Sequence, residues 1–374
     1  MSDASSSPFI AAVRELGPSF AARAEAADRE GSFVADNYRA LKEHKLFSAG
    51  VPKDLGGGGA SHAELCDMLR ELAHFCPSTA LALSMHTHLV AAAVWRHLHG
   101  QPAAPLLQKV AGGELVLVST GAQDWLESTG QATRVEGGYR VSAQKRFASG
   151  SPAGDLILTS APYDDPEAGA LVLQIVVPMQ AEGVRSQGDW DTLGMRATGS
   201  DTLTLENVFV PDAAVAMKRP RGVWHPMFNV ICTVAVPVFM SAYIGLAEAA
   251  ATLAREAGRK RPGDPHLPYL LGEMENQLLT AQMAWREMLQ AARGYDFEPE
   301  LARANASLMR KTIAARAVEG TVSKALESTG GSAFFRKHPL ERLFRDAQAV
   351  HFHPLPEKRQ LHFTGRLAMG LEPV

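Results

Sequence analysis

The chain has 374 residues, 46% of them hydrophobic and 21% charged, with a net charge of −3. That length calls for two or three domains rather than one small core, and its mixed charges leave no basic footprint for nucleic acid. Three scattered cysteines (Cys66, Cys76 and Cys232) with no CxxC pair argue against a disulfide framework or a cysteine zinc site, and point to a reducing, cytoplasmic setting.

The N-terminal MSDASSSPF lacks the basic and apolar regions of a secretory signal. Residues 8–112 read as helical, since apolar positions in FIAAVRELGPSFAARAEAAD and NYRALKEHKLF recur at helical spacing. The glycine run Gly56–Gly59 predicts a flexible loop, and Ser61 with Glu64 predicts a capping box at the start of the next helix. With no strand before the glycines and no P-loop lysine after them, they are not a phosphate cradle.

From about residue 113 the period changes. GELVLVST, GYRVSAQKRF, DLILTSA, ALVLQIVVPM and DTLTLENVFVP are short β-branched runs, and VEGGYRV, with Gly137-Gly138 at its centre, predicts a hairpin. Helices resume near 224. VICTVAVPVFMSAYIGLA (230–247) is uncharged and long enough to be a membrane span, but Pro237 and the charged helix that follows read as a buried bundle helix. Leu271, Met274, Leu278, Ala281, Trp285 and Met288 form one apolar stripe at three-and-four spacing, as on a bundle helix. The expected organisation is α+β and mostly helical: a helical domain over 1–112, a β-barrel-like domain over 113–220 and a helical bundle over 221–374.

Local chemistry is sparse. His86 and His88, two apart in a predicted helix, face different sides and make a poor metal pair; either alone could line a pocket. His351 and His353 would share a face if their segment is extended, but no ligand-spaced carboxylate or cysteine accompanies them, so no metal site is expected. Neither a GxSxG turn nor a Rossmann GxGxxG is in place. The strand end Lys145-Arg146-Phe147-Ala148-Ser149-Gly150 is more informative. It offers a ring and a hydroxyl to a flat, polar-edged cofactor. The plain alternative is a turn in which Ser149 bonds its own backbone.

The stretches LKEHKLFSAGVPKDLGGGG (41–59), CPSTALALSMHTHLV (76–90), GYRVSAQKRFASGSPAGDLIL (138–158), WDTLGMRATGSDTLTLENVFVP (190–211) and GGSAFFRKHPLERLFRDAQA (330–349) resemble, in order, the acyl-CoA dehydrogenase superfamily. The similarity spans roughly 40 to 370. It implies a flavin, FAD or FMN, between the β domain and the C-terminal bundle. Phe147 and Ala148 would lie against it, Ser149 near its N5, and Ser119, Thr120 and Gly121 on the other contacting loop. Gly330 and Gly331 match a glycine pair that reaches the cofactor of a neighbouring subunit, which implies a homo-oligomer, a tetramer or dimer.

Two departures from the family stand out. Where many members carry a catalytic glutamate, seven residues past the RDA alanine, this chain has Pro354. The helix that supplies the base in other members, 226–244 here, contains no acidic residue. The family's arginine–phenylalanine–glycine cofactor contact is replaced by GRKRPGDPHLPY. Glu357 is a displaced candidate base, with a solvated charge beside Lys358 and Arg359 as the plain reading.

In the flavin-dependent monooxygenase branch of the superfamily a histidine follows RD and a serine lies near the flavin edge. His353 and Ser149 match those positions, with His351 the near alternative and a histidine satisfied in an interface the plain one. Ser149 would serve as a hydroxyl donor, and an imidazole titrating near neutrality would deprotonate a phenolic substrate or hold the oxygenated flavin. The expectation is a flavin-dependent oxidoreductase, favoured as a two-component monooxygenase. It would take reduced flavin from a separate reductase and act on an aromatic or heteroatom compound. An acyl-CoA dehydrogenase with a displaced base is the alternative, and a non-catalytic ligand-binding member the third.

Overall fold

The computed structural model describes residues 7–121 and 124–374; the MSDASS stretch behind the signal-sequence reading, the first six residues of the N-terminal domain, lies outside them. Among the described residues five α-helices come first: α1 Pro8–Glu30, α2 Ala35–Glu43, α3 His62–Phe75, α4 Pro77–Leu98 and α5 Ala104–Gly113. Eight strands follow: β1 Leu117–Ser119, β2 Gln131–Val135, β3 Gly138–Ala148, β4 Leu156–Asp165, β5 Gly169–Pro178, β6 Val184–Ser186, β7 Asp201–Pro211 and β8 Val215–Pro220. The C-terminal part holds α6 Pro226–Arg259, α7 Leu267–Ala292, α8 Leu301–Thr329, α9 Pro339–Ala347 and α10 Glu357–Ala368.

Local signals explain most element ends. Pro8 and Pro77 stand in the first turns of α1 and α4, where a missing N–H costs nothing. The capping box opens α3: the Ser61 N–H donates to Glu64 Oε2 at 3.0 Å and the Glu64 N–H to Ser61 Oγ at 3.2 Å. The glycine run is packed rather than flexible. A Cβ on Gly57 would sit 2.3 Å from the Val51 carbonyl oxygen, and the N–H groups of Gly58, Gly59 and Ala60 donate to Ser48, Val51 and Ala49 carbonyls.

The β region is two four-stranded sheets, in the orders β1-β4-β5-β8 and β2-β3-β7-β6, that share one apolar core. The hairpin pairs Val135 with Gly138, so its turn is Glu136-Gly137, one residue earlier than the glycine pair suggests. β1 pairs with β4 in parallel, and thus brings Ser119-Thr120 to the rim facing the helices.

Helix α6 runs through the main helical core, its apolar window 94% buried. Its hydrophobicity answers to neighbours on every side, as expected of a core helix. On α7 the stripe Met274, Leu278, Ala281, Trp285 and Met288 is buried and Leu271 partly so. Each such large apolar side chain contributes about 1.5–3 kcal/mol by leaving water.

Candidate active site

A cavity of about 750 Å3 opens between the two sheets, α4, the first half of α6 and the segment after α9. One wall is the end of β3. There a register irregularity between Lys145 and Ala148 gives Phe147 a φ of +61°. A non-glycine residue in that region is strained, and persists there only where the surrounding structure holds it. The result is a ring 43% exposed to the cavity, edge-to-face with Trp190 at 6.0 Å. Ala148, by contrast, is fully buried in the sheet core. Lys145, two residues earlier, is buried and donates to Asp124 at 2.6 Å.

Ser149 Oγ bonds Ser200 Oγ at 2.8 Å, Ser200 bonds Thr198 Oγ1 at 2.7 Å, and Thr198 donates to the Met195 carbonyl at 2.9 Å. Each hydroxyl carries one proton, so all three bonds form together only if Ser149 donates to Ser200 and Ser200 to Thr198. Ser149 then meets the cavity with lone pairs, as an acceptor. That departs from the expectation of a hydroxyl donor there. Its backbone N–H, not its side chain, closes the local turn onto the Phe147 carbonyl.

Ser119, Thr120 and Gly121 line the same cavity; Thr120 Oγ1 is tied to Thr159 Oγ1 at 2.6 Å. An exposed ring pair beside a ladder of hydroxyls and a strand-end turn suits a flat group with a polar edge, and so fits an isoalloxazine. The loop carrying Trp190 and Met195 is docked by the RDA residues. Arg345 pairs with Asp28 and Glu341 and donates to the Leu193 carbonyl, while Asp346 accepts from the Met195 N–H. Burial pushes the Asp346 carboxyl up to about 6.

The two C-terminal histidines part company. Residues 348–352 form a tight 3-10 turn, so His351 and His353 do not share a face. His351 turns to Glu319 on α8 at 3.2 Å. His353 lines the cavity, stacked on Phe239 at 4.7 Å, with Nε2 2.7 Å from Tyr243 Oη on α6. Burial holds the Tyr243 phenol well above its ordinary pKa. With no other acceptor for its proton among the described residues, Tyr243 donates to Nε2. The imidazole proton then sits on Nδ1, which has no hydrogen-bond partner among the described residues.

Burial, with help from the charges of Lys311 and His88, pushes His353 down to about 3. It is a neutral ring at physiological pH and not, as its ordinary pKa suggests, a group titrating near neutrality. Lys311 fixes its backbone, donating to the carbonyls of His353 at 2.9 Å and Leu355 at 2.6 Å.

Other candidates lie elsewhere. Glu357, the first residue of α10, forms a two-pronged pair with Arg316 at 2.9 and 2.7 Å and does not line the cavity. Gly330 and Gly331 sit at the end of α8, away from the cavity of their own chain. His86 is a core residue: it accepts from the Leu117 N–H at 3.0 Å and donates to the Phe47 carbonyl at 2.8 Å. His88 lines the cavity, and burial pushes it down to about 4. No cluster of three metal-binding side chains occurs among the described residues. Tyr243, Trp190 and Phe239 escaped the sequence reading. Tyr243 lies in the apolar run of α6, and no local pattern separates it from a core tyrosine.

The chain matches the acyl-CoA dehydrogenase N-terminal domain over residues 8–114 and the C-terminal domain over 238–356. It is similar to the amino sugar nitrososynthase DnmZ of Streptomyces peucetius, 27% identical over 94% of this chain and 91% of that protein. It is also similar to the dibenzothiophene monooxygenase of Mycolicibacterium goodii, 28% identical over 92% of this chain and 89% of that protein. Among solved structures, FMN-bound TdsC from Paenibacillus sp. A11-2 superposes with a TM-score of 0.84 at 22% identity, covering 97% of this chain and 98% of that one. At that identity the likeness speaks for the fold alone.

Proposed function

The chain belongs to the acyl-CoA dehydrogenase family, and from that membership and the chemistry of its cavity we propose that it is a flavin-dependent monooxygenase using reduced FMN and oxygen. One observation carries the choice within the family. Among the described residues Asp124 is the only carboxylate lining the cavity, and buried Lys145 holds it at 2.6 Å. Removing the α-proton of an acyl thioester needs a free, correctly placed base, and Glu357 is engaged with Arg316 outside the cavity.

When bound, reduced flavin activates oxygen and delivers one oxygen atom to the substrate. The chain's own residues would do the rest. Phe147 and Trp190 would flank the ring. Ser149, facing the cavity as an acceptor, suits the N–H that flavin N5 carries only in the reduced state. His353, neutral and held by Tyr243, would offer its Nδ1–H as a donor in a site walled by Phe239 and Val236. Apolar walls keep water from the reacting atoms. FMN is favoured over FAD by the missing arginine–phenylalanine–glycine contact, which GRKRPGDPHLPY replaces.

A homo-oligomer, with Gly330-Gly331 reaching a second copy, is supported by the exposed Phe334 (81%) and Phe335 (62%) beside them. A separate flavin reductase and a cytoplasmic location complete the reading, the latter in keeping with three buried free cysteines.

The test is direct. Purified protein is mixed with chemically reduced FMN and air-saturated buffer containing indoles, thioethers or aromatic amines, and products are weighed by mass spectrometry. Gain of one oxygen atom, dependent on the protein, is the expected outcome. Oxidation of an acyl-CoA by the flavin-loaded protein without air, with no oxygenated product from any panel member, would overturn it.

A further inference from the structure

We propose that Arg96 marks the outer end of the substrate site and that the natural substrate is a flat apolar body carrying one anionic group, a carboxylate or comparable acid. The inference rests on the reading of the cavity as a substrate site and names what fills it. Helix α4 lines the cavity with one face, through Met85, His88, Leu89, Ala92 and Arg96. Arg96 lies eight residues past His88, which at helical rise is about 12 Å along the axis. His88 is close enough to His353 to oppose its protonation. Arg96 and the neutral imidazole therefore line one chamber, with Arg96 two turns of α4 beyond the imidazole's neighbour His88.

Arg96 differs from the other charged side chains of the cavity. Of the charged side chains lining the cavity, Asp124 is paired with Lys145, and Arg345 with both Asp28 and Glu341. Arg96 has no carboxylate within 4 Å among the described residues. Burial alone, with no opposing acid, acts on its pKa, and lowers it. Its place in the last turn of α4 would let it serve the helix dipole, yet its guanidinium donates to no carbonyl among the described residues. An arginine stays charged in such a site, so its half-buried charge stands uncompensated until an anion arrives.

The same chamber is lined with rings that suit a flat apolar body. Trp125 lies 5.1 Å from Phe228, Trp224 stacks behind Trp125 at 5.7 Å, and Met217 and Met227 complete that side. Trp95, stacked on His99 at 4.0 Å, steadies the turn that carries Arg96.

The probes are 3-(2-naphthyl)propionate and its primary amide, titrated calorimetrically into the FMN-loaded protein. A charge-assisted pair predicts the acid binding about ten- to a hundredfold more tightly than the amide. Arg96→Gln is expected to bring that ratio to within about twofold of one, and Arg96→Lys to keep part of it. A ratio unchanged in Arg96→Gln, or wild-type protein that binds the acid no better than the amide or binds neither, overturns the proposal. The competing anion is the phosphate of FMN. If Arg96→Gln weakens FMN but not riboflavin binding to the apoprotein, the guanidinium serves the cofactor and the substrate assignment fails. Binding needs no turnover, so an intact acid preference in a protein that oxygenates nothing would sink the monooxygenase reading alone.

Discussion

Replacing Lys145 with methionine removes an ammonium whose side chain is 1% exposed and whose three protons are shared among four oxygens: Asp124 Oδ2 at 2.6 Å, the Thr129 carbonyl at 2.9 Å, Thr129 Oγ1 at 3.1 Å and Ser128 Oγ at 3.2 Å. Asp124, itself 5% exposed, then keeps one weak side-chain hydrogen bond, from Thr129 Oγ1 at 3.4 Å, and the nearby Arg219 guanidinium, which donates to its backbone carbonyl at 3.1 Å, in place of a direct ion pair. Breaking a buried pair from one side costs about 3–5 kcal/mol. Lys145→Met is therefore expected to lose that much, read from urea midpoints at constant slope by tryptophan fluorescence. Burial keeps the Lys145 pKa below its ordinary value even with Asp124 beside it; desolvation outweighs the attraction. The pair as a unit therefore adds little stability, and adding Asp124→Asn should recover at least about 2 kcal/mol relative to the sum of the singles. Phe147 stands two residues along the same strand, so the single variant should also bind FMN less tightly. If Lys145→Met costs under about 1 kcal/mol, or if the single effects simply add, the buried-charge argument is wrong.

Burial lowers the pKa of His62, His86, His88 and His353, the last three to about 4, 4 and 3. The unfolded chain takes up these protons near pH 6.5 and the folded chain only well below it, so stability is full above about pH 6.5 and falls toward pH 4. For fully enclosed His86 this amounts to something on the order of 3 kcal/mol. His86→Gln should flatten the acid limb of an unfolding series, and an unchanged slope would count against it. His353→Ala should cut oxygenated product about a hundredfold or more while FMN affinity holds; undiminished product would remove His353 from the chemistry. Glu357→Gln should leave turnover within about twofold, and a severe loss would revive the dehydrogenase reading. In Gly194→Ala the new Cβ would meet the Arg345 carbonyl oxygen at 2.1 Å. The 190–195 loop must then lift off α9, at about 1–3 kcal/mol; a melting temperature and FMN affinity equal to wild type would show the contact to be slack.

The sequence alone determined what depends on near neighbours. Apolar spacing on α7, alternation in β3 and β7, and the Ser61/Glu64 box are patterns of a few residues, and the chain folds locally as they dictate. Even the hairpin was legible to within one residue, because its turn needs a left-handed glycine and Gly137 supplies it at φ +73°. The resemblance in motif order likewise carried the arrangement of helices around a β region.

Tertiary structure decided the chemistry. His351 and His353 are two residues apart and look equivalent on paper. A tight turn sends one to Glu319 and the other to Tyr243, 110 residues away in the chain. No local pattern shows that Glu357 meets Arg316, that Asp124 is silenced by Lys145, or that Arg96 meets no acid among the described residues. Protonation follows the same logic. A histidine's pKa is set by which distant side chains exclude water from it, and those become neighbours only when the helices and sheets close around the cavity.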